Sequence, residues 1–208
     1  MLDIKLKLRP GHTSERDWMA PSPLVKLFWN ITAECNFHCP ICFTDAGDHR
    51  PSELTTAEAT RMLASAHRAG VRDIIISGGE PFCRPDLLDL LRAMAELGIT
   101  ARIATNASLL TDGLLDRLRR ETLTKSFQVS LDSLDPEVYA SAHGAPPRHL
   151  ETALRALRGI RERGFHTTVS VRLTASTLPG IPALLDRAWE EDWATVTVHI
   201  PVHASRCE

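Results

Sequence analysis

Cys35, Cys39 and Cys42 stand close together in the run Thr32-Ala-Glu-Cys35-Asn-Phe-His-Cys39-Pro-Ile-Cys42-Phe43. Three thiols at Cys-x3-Cys-x2-Cys spacing on one short loop can reach three irons of a cubane cluster, which usually takes four cysteine ligands. With three offered, one iron keeps an open position, as a catalytic metal site does, and an open iron can bind a small molecule. The competing chemistry is a structural zinc site with His38 or His49 as fourth ligand. His38 adjoins Cys39, a poor position for sharing a centre with it, and the spacing is not that of a paired Cys-x2-Cys knuckle. The chain has 5 cysteines. An odd count with three of them clustered argues against a disulfide framework.

Three further groups of polar residues fall just after apolar runs. Ser77-Gly78-Gly79-Glu80-Pro81 offers two glycines that let backbone approach a ligand closely, and a carboxylate that can pair with a cation. Thr105-Asn106 and Ser130-Leu-Asp132-Ser133 each suit a helix cap or a turn, and alone neither points to a ligand.

These residues need a scaffold, and the pattern supplies one. Leu24–Ile31 is a short apolar run of strand type. Thr55-Thr-Ala-Glu58 is a capping box ahead of Ala59, Met62, Leu63 and Ala66 at helical spacing, and Gly70 ends that helix. Strands follow at 71–76, 99–104, 127–131, 165–173 and 195–200. The unbroken Ile74-Ile75-Ile76 reads as buried on both faces. Helices intervene at 85–97, with Pro85 in the first turn, at 110–120, with Thr111 as cap, and at 136–142, 149–163 and 181–190. Strict strand–helix alternation implies a parallel sheet with right-handed crossovers. Six units fall short of the eight of a closed (β/α)8 barrel. An open, curved, partial barrel is the expected fold, and in it ligands sit at the carboxyl ends of the strands.

Residues 1–23, with Pro10, Gly11, Pro21 and Pro23, read as a leader segment, and 24–208 as one core domain. The 208 residues carry 43% hydrophobic and 24% charged side chains, which excludes a disordered chain. A formal net charge of -2 gives no basic field for nucleic acid. No apolar run approaches the roughly 20 residues that span a bilayer, and the N-terminus has no secretory h-region. The expected compartment is the cytoplasm.

The three-cysteine loop after the first strand, Gly-Gly-Glu-Pro after the second, Thr-Asn after the third and Ser-x-Asp after the fourth together resemble the radical S-adenosylmethionine (SAM) enzymes, in particular the subgroup with peptide-modifying and cofactor-maturing members. The resemblance runs from Leu24 to the C-terminus. It implies a (β/α)6 partial TIM barrel, and a [4Fe-4S] cluster on Cys35, Cys39 and Cys42 with SAM chelating the fourth iron. Gly78, Gly79, Glu80 and Pro81 match the strip that receives the SAM amino group. Thr105 and Asn106 match the subgroup's pattern at the third strand, where cofactor contacts are expected. Ser130 and Asp132 match positions that meet the ribose hydroxyls or the methionine end. Arg172 is the expected partner of the SAM carboxylate, since its fork of donors suits a planar anion. Val202 and His203 lie where family members pass the adenine. The implied activity is reductive cleavage of SAM to a 5′-deoxyadenosyl radical that takes hydrogen from a peptide or a small natural-product or cofactor intermediate. An external electron donor, such as a flavodoxin or ferredoxin, is implied with it. The alternative is a non-catalytic zinc- or cluster-binding module.

Two departures from the family pattern stand beside the third cysteine. Ile41 replaces a frequent aromatic that packs by the adenine, and Phe43 stands where Tyr is frequent. Cys83 reads as a buried thiol acting as a small hydrophobe, with a hydrogen-atom donor as the bolder reading. Cys207 is too isolated for a second cluster. His143-Gly144 reads as a solvated loop, and Trp189 and Trp193 as core or rim packing. Similar subgroup members continue past residue 208, so a longer parent chain with its substrate contacts in the extension is expected.

Overall fold

The computed structural model describes residues 26–48, 50 and 52–200. The leader segment, Val202, His203 and Cys207 lie outside these residues. Six strands form one parallel sheet in sequential order: β1 Lys26–Thr32, β2 Asp73–Gly78, β3 Thr100–Thr105, β4 Thr124–Ser130, β5 His166–Arg172 and β6 Thr195–His199. The helices are α1 Thr56–Arg68, α2 Leu87–Glu96, α3 Asp112–Glu121, α4 Pro136–His143, α5 His149–Glu162 and α6 Ile181–Glu190. This is the open (β/α)6 partial barrel that the alternation predicts.

Register sorts the side chains into two faces. One row runs Ile76–Ile103–Phe127–Thr167, and beside it lies Thr105–Val129–Val169–Val196. Ile76, Ile103, Phe127, Val129 and Val169 are buried and join the apolar sides of α1, α2, α3 and α5 through Leu63, Leu90, Leu91, Met94, Leu115 and Leu157. The alternate row is small and polar: Asn30 pairs with Ser77, Ala104 with Gln128, and Ser130 with Ser170. The core therefore lies between sheet and helices, and the polar row is left for a ligand. Ile75 belongs to that second row and is half-buried, unlike Ile74 and Ile76. Burial on both faces, expected for the triplet, does not occur, because no layer packs on the concave side at this point.

The helix ends follow local chemistry. Thr55 and Glu58 form the full capping box, and the Thr111 hydroxyl accepts from the Leu114 N–H. Gly70, Gly98 and Gly164 take positive φ just past their helices. Helix α2 begins at Leu87, after a separate 3-10 turn over Pro81–Cys83, and not at Pro85. Asp86 stands at its N-cap without capping it, because Arg84 and Thr56 take both its carboxylate oxygens. Strand β4 starts at Thr124, earlier than the apolar run indicates. Trp193 is buried as expected, but Trp189 is 89% exposed and packs neither in the core nor at its rim. The reason is register within α6: Leu184 and Ala188 turn inward, which puts Trp189 on the outer side.

Phe127 sits at the centre of the sheet–helix interface and meets Phe165 edge-on at 5.1 Å. Phe127→Ala should lower unfolding stability by about 3–5 kcal/mol, read as a reduced urea midpoint with an unchanged m-value.

Candidate metal and cosubstrate site

The cysteines lie on the loop between β1 and α1, and its own backbone closes it. The Cys35 N–H donates to the Gly47 carbonyl at 2.8 Å, and the Gly47 N–H to the Ala33 carbonyl at 2.9 Å. Cys39 and Cys42 thus lie on an excursion whose two ends are pinned together. Phe37, 2% exposed, plugs it into the protein against His143 and His149, with ring centroids 5.9 and 5.1 Å away. Arg84 closes the base of the loop, donating to the carbonyls of Ile31 and Leu54, both at 2.8 Å.

The second strand end grips the start of the loop. Gly79 N–H donates to the Thr32 carbonyl and Glu80 N–H to the Glu34 carbonyl, both at 2.8 Å. A Cβ on Gly78 would lie 2.2 Å from the Thr32 oxygen, and one on Gly79 would lie 2.1 Å from the Glu34 oxygen. At Gly78, φ is +126°, which L side chains rarely adopt. What these glycines admit in the first instance is the backbone of the cysteine loop.

Glu80 is fully buried. Its carboxylate accepts from the Thr105 hydroxyl and the Asn106 N–H, both at 2.7 Å, and from the Phe82 N–H at 3.2 Å. These three neutral donors hold the carboxylate in place. Burial pushes it up to about 7. Asn106 in turn donates to the Asn36 side-chain oxygen at 2.9 Å, so Glu80 sets β3's end and β3's end holds the loop.

Cys35, Cys39 and Cys42 line one cavity of about 150 Å3 with Gly78, Gly79, Thr105, Asn106, Ser130 and His143. Five of the expected cofactor-binding residues, Gly78, Gly79, Thr105, Asn106 and Ser130, thereby line it together with the three cysteines. Glu80 and Pro81 stand behind its wall. Ile41, Asp132 and Arg172 line a second cavity of about 200 Å3 on the other side of the loop, with Thr174 and Thr177. Asp132 and Arg172 face each other: the guanidinium donates through Nε at 2.9 Å and through Nη2, while Asp132 Oδ1 accepts from the Arg172 N–H at 2.6 Å. The expected separate contacts of these two with SAM are thus preceded by a contact with one another.

The donor set fits an iron–sulfur cluster. The cavity wall holds three soft thiols and neither a carboxylate nor an ammonium. Backbone N–H groups point at two of the sulfurs, Phe37 to Cys35 at 3.4 Å and Ala46 to Cys42 at 3.3 Å. Such bonds suit sulfur that carries negative charge. Burial pushes the Cys35 thiol up to about 12 and also raises Cys39. Metal charge is therefore required to draw off those protons. Among the described residues, no group of three or more His, Cys, Asp or Glu is set for a single metal ion. His38, the proposed fourth zinc ligand, is exposed, and His49 lies outside the described residues.

Several working residues carry no sequence signal that singles them out. His143 is 1% exposed, not a solvated loop residue. It ends α4 four residues after Tyr139, whose ring it meets at 4.3 Å, and that i,i+4 pairing on a helix was the available clue. Gly144, at φ 55°, comes so near the loop that a Cβ would lie 2.1 Å from the His38 carbonyl oxygen. Cys83 is half-buried, not buried, and its thiol shares a neighbourhood with Glu80, Glu34 and Cys35. Arg84 and Asn36 complete the set. Phe43 is 79% exposed and does not pack by the cavity.

An open parallel barrel with three cysteines on its first loop and a glycine-gripped second strand end is the architecture of a cofactor-dependent enzyme with its site at the strand carboxyl ends. A model of the radical SAM superfamily matches residues 29–192, and the chain belongs to that superfamily. It is 33% identical over 149 residues to an AdoMet-dependent heme synthase of Methanosarcina barkeri, covering 69% of this chain and 42% of that protein. To the PqqA peptide cyclase of Gluconobacter oxydans it is 30% identical over 174 residues, covering 82% and 47%. Among solved structures, Streptococcus suis SuiB bound to precursor peptide SuiA superposes with a TM-score of 0.72 at 25% identity, covering 85% of this chain and 39% of that one. The chain spans about half or less of the length of these relatives.

Two buried groups pull stability in opposite directions over one pH window. Glu80 has its folded value raised to about 7, so its contribution is full at low pH and is lost as pH rises from the carboxylate range towards 7. His143 is lowered by burial to about 4, so its contribution is full above about 6.5 and is lost as pH falls towards 4. Glu80→Gln removes the first effect alone. The variant should gain stability between pH 4.5 and 6.5 more steeply than the wild type, checked by urea unfolding across that range.

Proposed function

We propose that this chain is the catalytic core of a radical SAM enzyme that acts on a peptide or a small cofactor or natural-product intermediate. The observation that carries this is that three loop thiols line one cavity free of competing charge, with Gly78 and Gly79 in the same wall. Cys35, Cys39 and Cys42 would hold a [4Fe-4S] cluster and leave one iron to SAM. When bound, the cluster and SAM together supply a one-electron cleavage of the C5′–S bond, which yields a 5′-deoxyadenosyl radical that takes a hydrogen atom from substrate.

The chain's own residues supply position and exclusion. Gly78 and Gly79 line the cavity, and this strip would receive the amine of SAM. Ser130, at the end of β4, offers a hydroxyl into the same cavity, suited to a ribose. Ile41 brings apolar surface to the neighbouring cavity, where a purine could rest without ring stacking. Glu80 and Pro81 act from behind, through the backbone they hold. Val202 and His203 keep the role of passing the adenine.

The peptide and cofactor substrates named for the relatives support that range of substrate and do not choose within it. An external one-electron donor is part of the proposal. So is a cytoplasmic setting, with no nucleic-acid or membrane partner. No helix among the described residues is long and apolar enough to cross a membrane.

Anaerobic reconstitution with iron and sulfide tests the reading. The protein should turn brown, hold about four irons per chain and release 5′-deoxyadenosine from SAM on reduction. Cys39→Ala should lose cluster and SAM cleavage while keeping a wild-type far-UV circular dichroism spectrum. A colourless wild-type protein that holds one zinc and leaves SAM intact would contradict it.

A further inference from the structure

Among the described residues, the guanidinium of Arg172 is the cation that the sheet sets against the cysteine loop, and its donors point at protein. Nε and Nη2 donate to Asp132 Oδ2. Nη1 donates to the Ile41 carbonyl at 2.6 Å, and Nη2 also to the Ala142 carbonyl at 3.0 Å. The Cys39 sulfur lies within the reach of the same charge. Ile41 stands between Cys39 and Cys42 in sequence. One side chain on β5 therefore holds the peptide that links Cys39 to Cys42.

Asp132 holds Arg172 in turn. It is 1% exposed, and its second oxygen takes the Arg172 backbone N–H at 2.6 Å, so the pair is fixed to the ends of β4 and β5. His143 completes the enclosure. Its Nδ1 lies 3.4 Å from Arg172 Nη2 and its Nε2 lies 3.1 Å from Asp132 Oδ2. With Nδ1 facing a donor, the ring proton belongs on Nε2, which makes no hydrogen bond here although Asp132 Oδ2 is close.

We propose that Arg172 and Asp132 form a buried charge pair that positions the Cys39–Cys42 segment and sets the reduction potential of the cluster it carries, Arg172 raising it and Asp132 lowering it. This rests on the cluster reading of the three cysteines. Arg172 is here a positioning residue, acting on the cofactor through the loop segment that carries Cys39 and Cys42. A reduced cluster carries one more negative charge, so a cation beside the loop that holds it favours the reduced form, and a nearby carboxylate opposes it.

The sign of the effect separates this role from a merely structural one. Loosening the loop by either substitution would move the potential the same way or leave it alone. The structure assigns opposite signs. Arg172→Gln should make the cluster at least tenfold harder to reduce, and Asp132→Asn at least tenfold easier; each is a shift of 59 mV for a one-electron couple. Arg172→Lys, which keeps the charge, should stay within about threefold of the wild type (an order-of-magnitude expectation from Lys retaining a point charge without the fork).

The measurement is a redox titration of the reconstituted full chain without SAM, followed by electron paramagnetic resonance of the reduced cluster. Opposite shifts support the pair. Shifts of one sign, or none beyond twofold, overturn it while leaving the cluster reading intact. Should Arg172→Gln fail to fold, Asp132→Asn and Arg172→Lys decide alone: an unchanged Asp132→Asn potential overturns the proposal. A wild-type chain that takes up no cluster overturns both.

Discussion

The constraint on which the structure depends is the immobilisation of a loop with no regular structure of its own. Between Thr32 and Thr55 the chain carries three thiols, and a cluster tolerates little error in where they stand. The sheet solves this by using its strand ends as clamps. The β2 end takes the loop's start through Gly78, Gly79 and Glu80. The β3 end takes Asn36 through Asn106. The β4 and β5 ends take Ile41 through Arg172, whose charge Asp132 balances. Every one of these contacts is polar and at the carboxyl edge, while the opposite rows of the same strands are buried against helices.

This division explains why single residues serve two levels at once. Glu80 binds the backbone of Asn106, which fixes the side chain that reaches the loop. Gly78 and Gly79 permit a backbone approach of about a hydrogen-bond length, without which β2 could not lie beside Thr32 and Glu34. The charge pair of Arg172 and Asp132 is costly to bury. Its several hydrogen bonds to carbonyls and backbone offset that cost, and they make the pair specific to one loop position. A hydrophobic replacement could fill the space but could not hold the Ile41 carbonyl.

The fold was legible because each helix and strand announces itself locally. The Thr55–Glu58 box, the terminating glycines and the apolar periods lie within a few residues of the features they determine. The cysteine cavity was legible for the same reason, since three ligands share one loop. What sequence could not show were contacts between residues far apart in the chain. Arg172 and Ile41 are separated by 131 positions, and Arg84 and Ile31 by 53. His143 reads as a loop residue until α4 is seen to press it against Phe37. Chemistry suited to a ligand and chemistry suited to a buried protein partner are the same chemistry in Glu80, Asp132 and Arg172, so residue type alone could not assign them. The Ile74–Ile76 triplet misled for a different reason: an apolar side chain also lines the open concave face.

Mössbauer spectroscopy of the chain reconstituted with 57Fe tests the central claim most directly. The account predicts a four-iron cluster in which one iron differs from the other three and changes its spectrum when SAM is added. Four equivalent irons that do not respond to SAM, or a protein that binds a single metal ion through its cysteines, would contradict it.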